Sequence, residues 1–260
     1  MSSILAISSQ VVYGPVGNSA SVPALQAKGH EVLAVPTVIL SNHPGHGAPV
    51  GFRTAPGDLA AILGRATSFA AVDAVMTGYF ASPQQIAEAA AIIRALRGKK
   101  PSLYVLVDPV MGDGEKLYVP EPVADAIRDE FLPLATCLTP NRFELEWLTG
   151  SLAGTVADAI AAARALNIPE VLATSIPAPG QELATLIVTP DAHGEQLRPL
   201  RAHVPHGTGD FLAGCYLAER LEHPPVAALT RAHQLLDRAI ALSEGSTVLD
   251  VAHALHGVAP

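Results

Sequence analysis

Charge is scarce in this sequence. Asp, Glu, Lys and Arg make up only 15% of its 260 residues and apolar residues 49%, a balance that excludes a disordered chain. Positive charge is scarcest of all. The 16 Lys and Arg stand against 24 Asp and Glu, and a net charge of -8 leaves no general electrostatic footprint for nucleic acid. A local anion site stays open, because helix N-termini and metal ions act at short range. Lysine is confined to Lys28, Lys99, Lys100 and Lys116, none at a strand end with ligand-like neighbours, which argues against Schiff-base chemistry. Cysteine is confined to Cys137 and Cys215. Their spacing fits neither a disulfide framework nor a metal site, and both read as small buried hydrophobes. The apolar-rich runs are broken by Pro, Gly and Thr, which excludes a membrane span. The stretch from Met1 to Ser9 has neither the basic flank nor the apolar length of a signal peptide, so a reduced, cytoplasmic compartment is expected.

What is present alternates between short apolar runs and longer amphipathic ones. Strands are expected at Ile4–Ser8, Glu31–Ile39, Ala71–Gly78, Leu103–Asp108, Thr136–Thr139, Val171–Thr174, Ala184–Val188 and Gln196–Val204. Several lack polar alternation, as strands buried on both faces do. Helices are expected at Ser82–Arg97, Pro122–Phe131, Arg142–Leu148, Val156–Leu166, Phe211–Leu221 and Val226–Ser243. Ser82 with Pro83 makes a helix start, and Gly98, Gly150 and Gly245 stand where helix ends need a left-handed residue. The order predicts one domain over 1–260: an α/β, doubly wound, mostly parallel sheet with helices on both faces. Ligands of such sheets bind beyond the carboxyl ends of the strands.

Several motifs follow predicted strands. His206 to Gly214 carries Gly207-Thr208-Gly209-Asp210 at the opening of a helix, where backbone amides can meet an anion and a carboxylate can take a hydroxyl proton. Taken alone, Asp210 also reads as a plain helix N-cap. Asp108 to Asp113 closes a buried strand with glycine nearby, a place for metal or phosphate ligands or merely a polar loop. Thr139-Pro140-Asn141-Arg142-Phe143-Glu144 places Asn141 and Glu144 one helical turn apart. They can hold hydrated Mg²⁺, form an N-capping box, or do both. Ser8 to Asn18, Ser41-Asn42-His43 and Gly78-Tyr79 complete the set, each also readable as ordinary loop or core chemistry.

Together these motifs resemble the ribokinase-like superfamily of small-molecule kinases and, within it, the pyridoxal kinases. The resemblance runs from the first strand to the Asp210 helix. Ser9 to Asn18 and Ser41-Asn42-His43 are similar to that group in particular, as is Leu117-Tyr118-Val119-Pro120. Gly207-Thr208-Gly209-Asp210 marks the superfamily alone. The resemblance implies ATP-dependent phosphorylation of the 5'-hydroxymethyl group of a B6 vitamer. It implies Asp210 as base, with Gly207, Thr208 and Gly209 as the anion hole. Asp108, Asn141 and Glu144 would organise Mg²⁺ and the phosphates, and Asp113, Tyr118, Thr174 and Ser175 would lie along the nucleotide. Ser9, Val16, His43 and Tyr79 would line the pyridine pocket, and residues 113–118 would form a flap over ATP. It further implies K⁺ beside Mg²⁺, and a homodimer.

Three positions depart from that group. Pro44 stands where a threonine is common, His206 where an apolar residue is common, and a tryptophan common near Pro49 is missing. All three fall on the ring pocket. Two other readings remain open. One is a hydroxymethylpyrimidine or sugar kinase, although the Ser9–Asn18 and Tyr79 segments offer a ring slot rather than many hydroxyl partners. The other is a carrier of pyridoxal phosphate with little kinase activity.

Overall fold

The computed structural model describes residues 1–258. In chain order, β1 (Ser3–Tyr13), α1 (Asn18–Ala27), β2 (Glu31–Asn42), β3 (Gly51–Arg53) and α2 (Asp58–Ala66) come first. Then follow β4 (Ala74–Thr77), α3 (Pro83–Lys99), β5 (Tyr104–Val107), β6 (Gly112–Asp113), β7 (Lys116–Leu117) and α4 (Glu121–Ala126). The rest is β8 (Cys137–Leu138), α5 (Arg142–Thr149), α6 (Val156–Ala165), β9 (Glu170–Ala178), β10 (Glu182–Val188), β11 (His193–Pro199), α7 (Thr208–Arg220), α8 (Pro225–Leu242) and α9 (Val251–Leu255).

One nine-stranded sheet runs β11-β10-β9-β8-β5-β4-β1-β2-β3. Its centre, from β2 to β9, is parallel, while β3, β10 and β11 join antiparallel. The continuous apolar runs have the expected cause. Alternate residues of each central strand enter opposite cores: Leu5, Ile7, Val75, Val105 and Val107 face α3 and its neighbours, while Ile4, Ala74, Met76 and Leu106 face α1, α7 and α8. Chain direction switches at β1, which neighbours β2 on one side and β4 on the other. A ligand crevice belongs at that switch.

Several boundaries differ from the sequence reading. The first strand runs on to Tyr13, so Ser9 to Tyr13 are strand rather than loop. Helices α1 and α2 and strand β3 were not anticipated. Pro23 inside α1 reads as a breaker, and α1 buries small residues (Ala20, Ser21, Ala24) instead of a bulky stripe. Gly98 lies within α3 and caps nothing, because the helix runs on to Lys99. The 122–131 helix ends as a wider turn over Ile127–Phe131 ahead of Pro133. The last strand is His193–Pro199 rather than Gln196–Val204, set by its hairpin register against β10. Helix α7 starts at Thr208, not Phe211, with Gly207 as its cap.

Helix α7 is anchored from behind. Glu170, buried at the start of β9, accepts hydrogen bonds from the Tyr104 hydroxyl (2.8 Å), the Tyr216 hydroxyl (2.8 Å) and the Arg220 guanidinium (2.7 Å). Removing the carboxylate strands a partly buried guanidinium and two phenols. We expect Glu170→Ala to cost about 3–5 kcal/mol in urea unfolding. A loss under about 1 kcal/mol would show that water replaces the carboxylate at little cost.

Candidate active site

The carboxyl ends of β1, β4, β5, β8 and β9 open onto a cleft of about 720 Å³, closed on one side by the N-terminus of α7. Its walls include Ser9, Val16, His43 and Tyr79 at one end. Asp108, Asp113, Tyr118, Asn141, Glu144 and Thr174 stand at the other, and Gly207, Thr208, Gly209 and Asp210 face both.

Each side chain has a local reason for its place. Gly207 caps α7 with φ 92, a backbone state that favours glycine, and the Phe211 amide donates to its carbonyl at 2.9 Å. Asp210 therefore sits in the first turn, not at the cap, with its carboxylate beside the Gly17 amide. The remaining amides of that turn, those of Thr208 and Gly209, lie at a helix start, where backbone N–H groups have no helical acceptor and can meet an anion. Tyr79 is held from both sides: Ser8 Oγ accepts from its amide (3.1 Å), and Thr37 Oγ1 donates to its carbonyl (2.7 Å). Ser9 packs under Gly17, where a Cβ would lie 2.3 Å from its Oγ.

Asp108 follows β5 and accepts a hydrogen bond from Thr139 Oγ1 at 2.8 Å. Asn141 and Glu144 form the capping box of α5: Asn141 Oδ1 accepts from the Glu144 amide (3.0 Å), and Glu144 Oε2 from the Asn141 amide (2.9 Å). Glu144 also accepts from the Met111 amide (2.9 Å), and Asn141 Nδ2 donates to the Gly112 carbonyl (2.8 Å). The box thus fixes the segment from Asp108 to the β6–β7 hairpin, the hairpin that was read as a flap. Both Glu144 oxygens thus already accept protein hydrogen bonds, Oε1 from the Met111 amide and Oε2 from the Asn141 amide.

Three carboxyls share this end of the cleft. Burial pushes Glu144 up to about 7 against its backbone donors. Burial also pushes Asp210 up to about 6, opposed by the Gly17 amide and its own. Asp108 is held well above the usual carboxylate range by burial, then by Asp210 and Glu144. The charges of Asp210 and Glu144 thus oppose the ionisation of Asp108, and among the described residues no group of three or more His, Cys, Asp or Glu side chains could hold a metal ion by itself.

Ser175 is not brought to the cleft. A bulge between β9 and β10 falls there, giving Ser175 a φ of 59 and turning it to solvent while Thr174 stays on the wall. Sequence reasoning also missed residues. Thr139 was placed at a strand end but not as the partner of Asp108. Ser8 and Thr37 gave no sign that they hold Tyr79, because long-range hydrogen bonds leave no local pattern. Val110 lines the cleft with φ 30, a strained state that nothing in the sequence announces.

Relatives share this arrangement of elements. The family model described as phosphomethylpyrimidine kinase matches residues 17–254. A pyridoxine/pyridoxal/pyridoxamine kinase of Bordetella pertussis is 41% identical over 243 residues, covering 88% of this chain and 84% of that protein. A pyridoxal kinase of Deinococcus radiodurans is 38% identical over 234 residues, covering 84% and 78%. The solved structure of Leishmania donovani pyridoxal kinase in complex with ADP and pyridoxamine superposes with a TM-score of 0.91 at 29% identity, covering 99% of this chain and 97% of that one. With that fold and that cleft, the chain belongs to the phosphomethylpyrimidine kinase family of ribokinase-like enzymes, among the pyridoxal kinases.

Proposed function

We propose that this protein transfers the γ-phosphoryl group of ATP to the 5'-hydroxymethyl group of pyridoxal, with pyridoxine and pyridoxamine as further acceptors. It does so as a cytoplasmic homodimer using Mg²⁺ and K⁺. Among the described residues no helix is long and apolar enough to cross a membrane.

One observation carries the reading: Asp210 lies in the first turn of α7, where a carboxylate and unpaired amides face the same cleft. Phosphoryl transfer asks mainly for positioning and charge neutralisation. Ser9, Val16, His43 and Tyr79 would hold the ring so that its hydroxymethyl group reaches Asp210. Asp210 would take the hydroxyl proton as the oxygen attacks, and the amides after Gly207 would meet the charge on the transferring group. Asp108 would hold Mg²⁺, with Asn141 and Glu144 reaching it through water. When bound, Mg²⁺ neutralises phosphate charge. Asp113, Tyr118 and Thr174 would lie along the nucleotide.

The test is ATP-dependent phosphorylation of pyridoxal, pyridoxine, pyridoxamine and hydroxymethylpyrimidine by the purified protein. Turnover of a B6 vitamer above hydroxymethylpyrimidine is the expected result. Preference for hydroxymethylpyrimidine would move the substrate assignment. No turnover, with pyridoxal phosphate bound more tightly than pyridoxal, would make the protein a carrier.

A further inference from the structure

Three imidazoles gather from two segments far apart in sequence, and two of them, His43 and His206, line the cleft. The His43 and His206 ring centroids are 4.2 Å apart, inclined by 35°. His46 lies 6.4 Å from each and packs its edge against Tyr13 at 5.2 Å. Among the described residues no group of three or more such side chains can hold a metal ion, so coordination does not explain the cluster.

Gly45 offers another explanation. A Cβ on it would lie 2.5 Å from His206 Nε2 and 3.0 Å from His43 Nδ1. Its backbone is not in the left-handed region, so what a Cβ there would press on is the imidazole pair and not the turn. The turn itself is braced. The Gly45 amide donates to His43 Nδ1 (3.1 Å), and Asn42 Nδ2 donates to the carbonyls of His43 (3.1 Å) and Gly47 (2.9 Å). Burial, then His206 and His46, lower the His43 pKa to about 4, so that ring stays neutral at ordinary pH with its proton on Nε2. His206 comes from the other side of the cleft and immediately precedes Gly207, the cap of α7.

We propose that His206 is a specificity-determining positioning residue: stacked on His43 over Gly45, it docks the 43–47 turn against the start of α7 and fixes the ring slot relative to the phosphate end. The inference rests on reading the cleft as a B6 kinase site. A flat heteroaromatic ring held by His43 is then in register with Asp210, because one contact joins both sides of the slot. Without the His206 ring the turn loses its far support, and ring binding weakens while nucleotide binding does not.

The experiment compares wild type, His206→Ala, Gly45→Ala and the double variant. Aromatic stacking of this size predicts a vitamer KM raised about five- to tenfold in His206→Ala, with the ATP KM and Tm unmoved. Gly45→Ala raises the vitamer KM in the wild-type background and adds little once His206 is gone. Amide exchange at residues 43 and 45–47 rises in His206→Ala whether or not a vitamer is the substrate. Unchanged exchange with unchanged vitamer KM overturns the proposal, as do additive effects of the two substitutions. If wild type turns over no vitamer while exchange still responds to His206→Ala, the functional reading falls and the docking contact stands.

Discussion

Asp210→Asn should lower kcat about a thousandfold while leaving ATP binding in place. A positioned general base contributes about 10²–10⁴-fold, and the amide keeps the shape of the side chain but cannot accept the hydroxyl proton. Burial pushes Asp210 up to about 6, and Asp108 beside it is raised as well, so the two titrate as a pair. In the free enzyme kcat/KM should therefore climb as pH rises through about 6, and Asp210→Asn should lose that limb. Stability runs the other way. With its folded pKa raised above the unfolded one, the Asp210 contribution is fully present below about 4 and is lost as pH rises through about 6. At pH 8 the native state carries this carboxylate at a cost. The full shift would be worth about 3 kcal/mol, and a wet face on the cleft reduces it to about 1. Asp210→Asn is thus expected to unfold slightly later than wild type at pH 8 and to lose that advantage by pH 4. Near-normal kcat with the acidic limb intact would remove Asp210 from the base role.

Much of this site was legible because strand ends announce themselves. Asp108 and Asn141 each follow an apolar run, and an open parallel sheet gathers such ends at one edge. Gly207 to Asp210 were legible from their glycines instead, because β11 is antiparallel and ends at Pro199. The sheet was legible for the same reason: β4 and β5 are too continuously apolar to have a wet face. Periodicity failed where packing is by small residues. Helix α1 presses Ser21 against Gly214 of α7, so closely that a Cβ on Gly214 would lie 2.8 Å from Ser21 Cα. A contact of that kind needs no bulky stripe and leaves none in the sequence. Ser175 was misplaced because a bulge shifts side-chain direction by one residue, and bulges depend on the partner strand. His206 could be seen to differ from related chains. Its partner His43, from the far side of the cleft, could not be read from spacing.

Gly207→Ala should damage fold and turnover together. The φ of 92 strains any side chain. More severely, a Cβ would lie 2.0 Å from the Pro15 carbonyl oxygen and 3.1 Å from its carbon. Pro15 belongs to the turn between β1 and α1, and backbone there cannot rotate aside as a side-chain tip can. Either that turn or the first turn of α7 must move, and both line the cleft. Strain and overpacking together predict a loss of about 2–4 kcal/mol in denaturant unfolding. Turnover should fall at least about a hundredfold, because the amides that meet the phosphoryl group shift with the helix start. Gly209 is the comparison that isolates the cause. No atom lies within 4 Å of a Cβ placed there, and its φ is not positive. Within a helix, alanine for glycine should hold or raise stability by up to about 1 kcal/mol. If Gly209→Ala keeps its stability and still loses turnover, that glycine is required by close approach of the ligand. If Gly207→Ala keeps both stability and turnover, the helix start does not depend on its contact with Pro15.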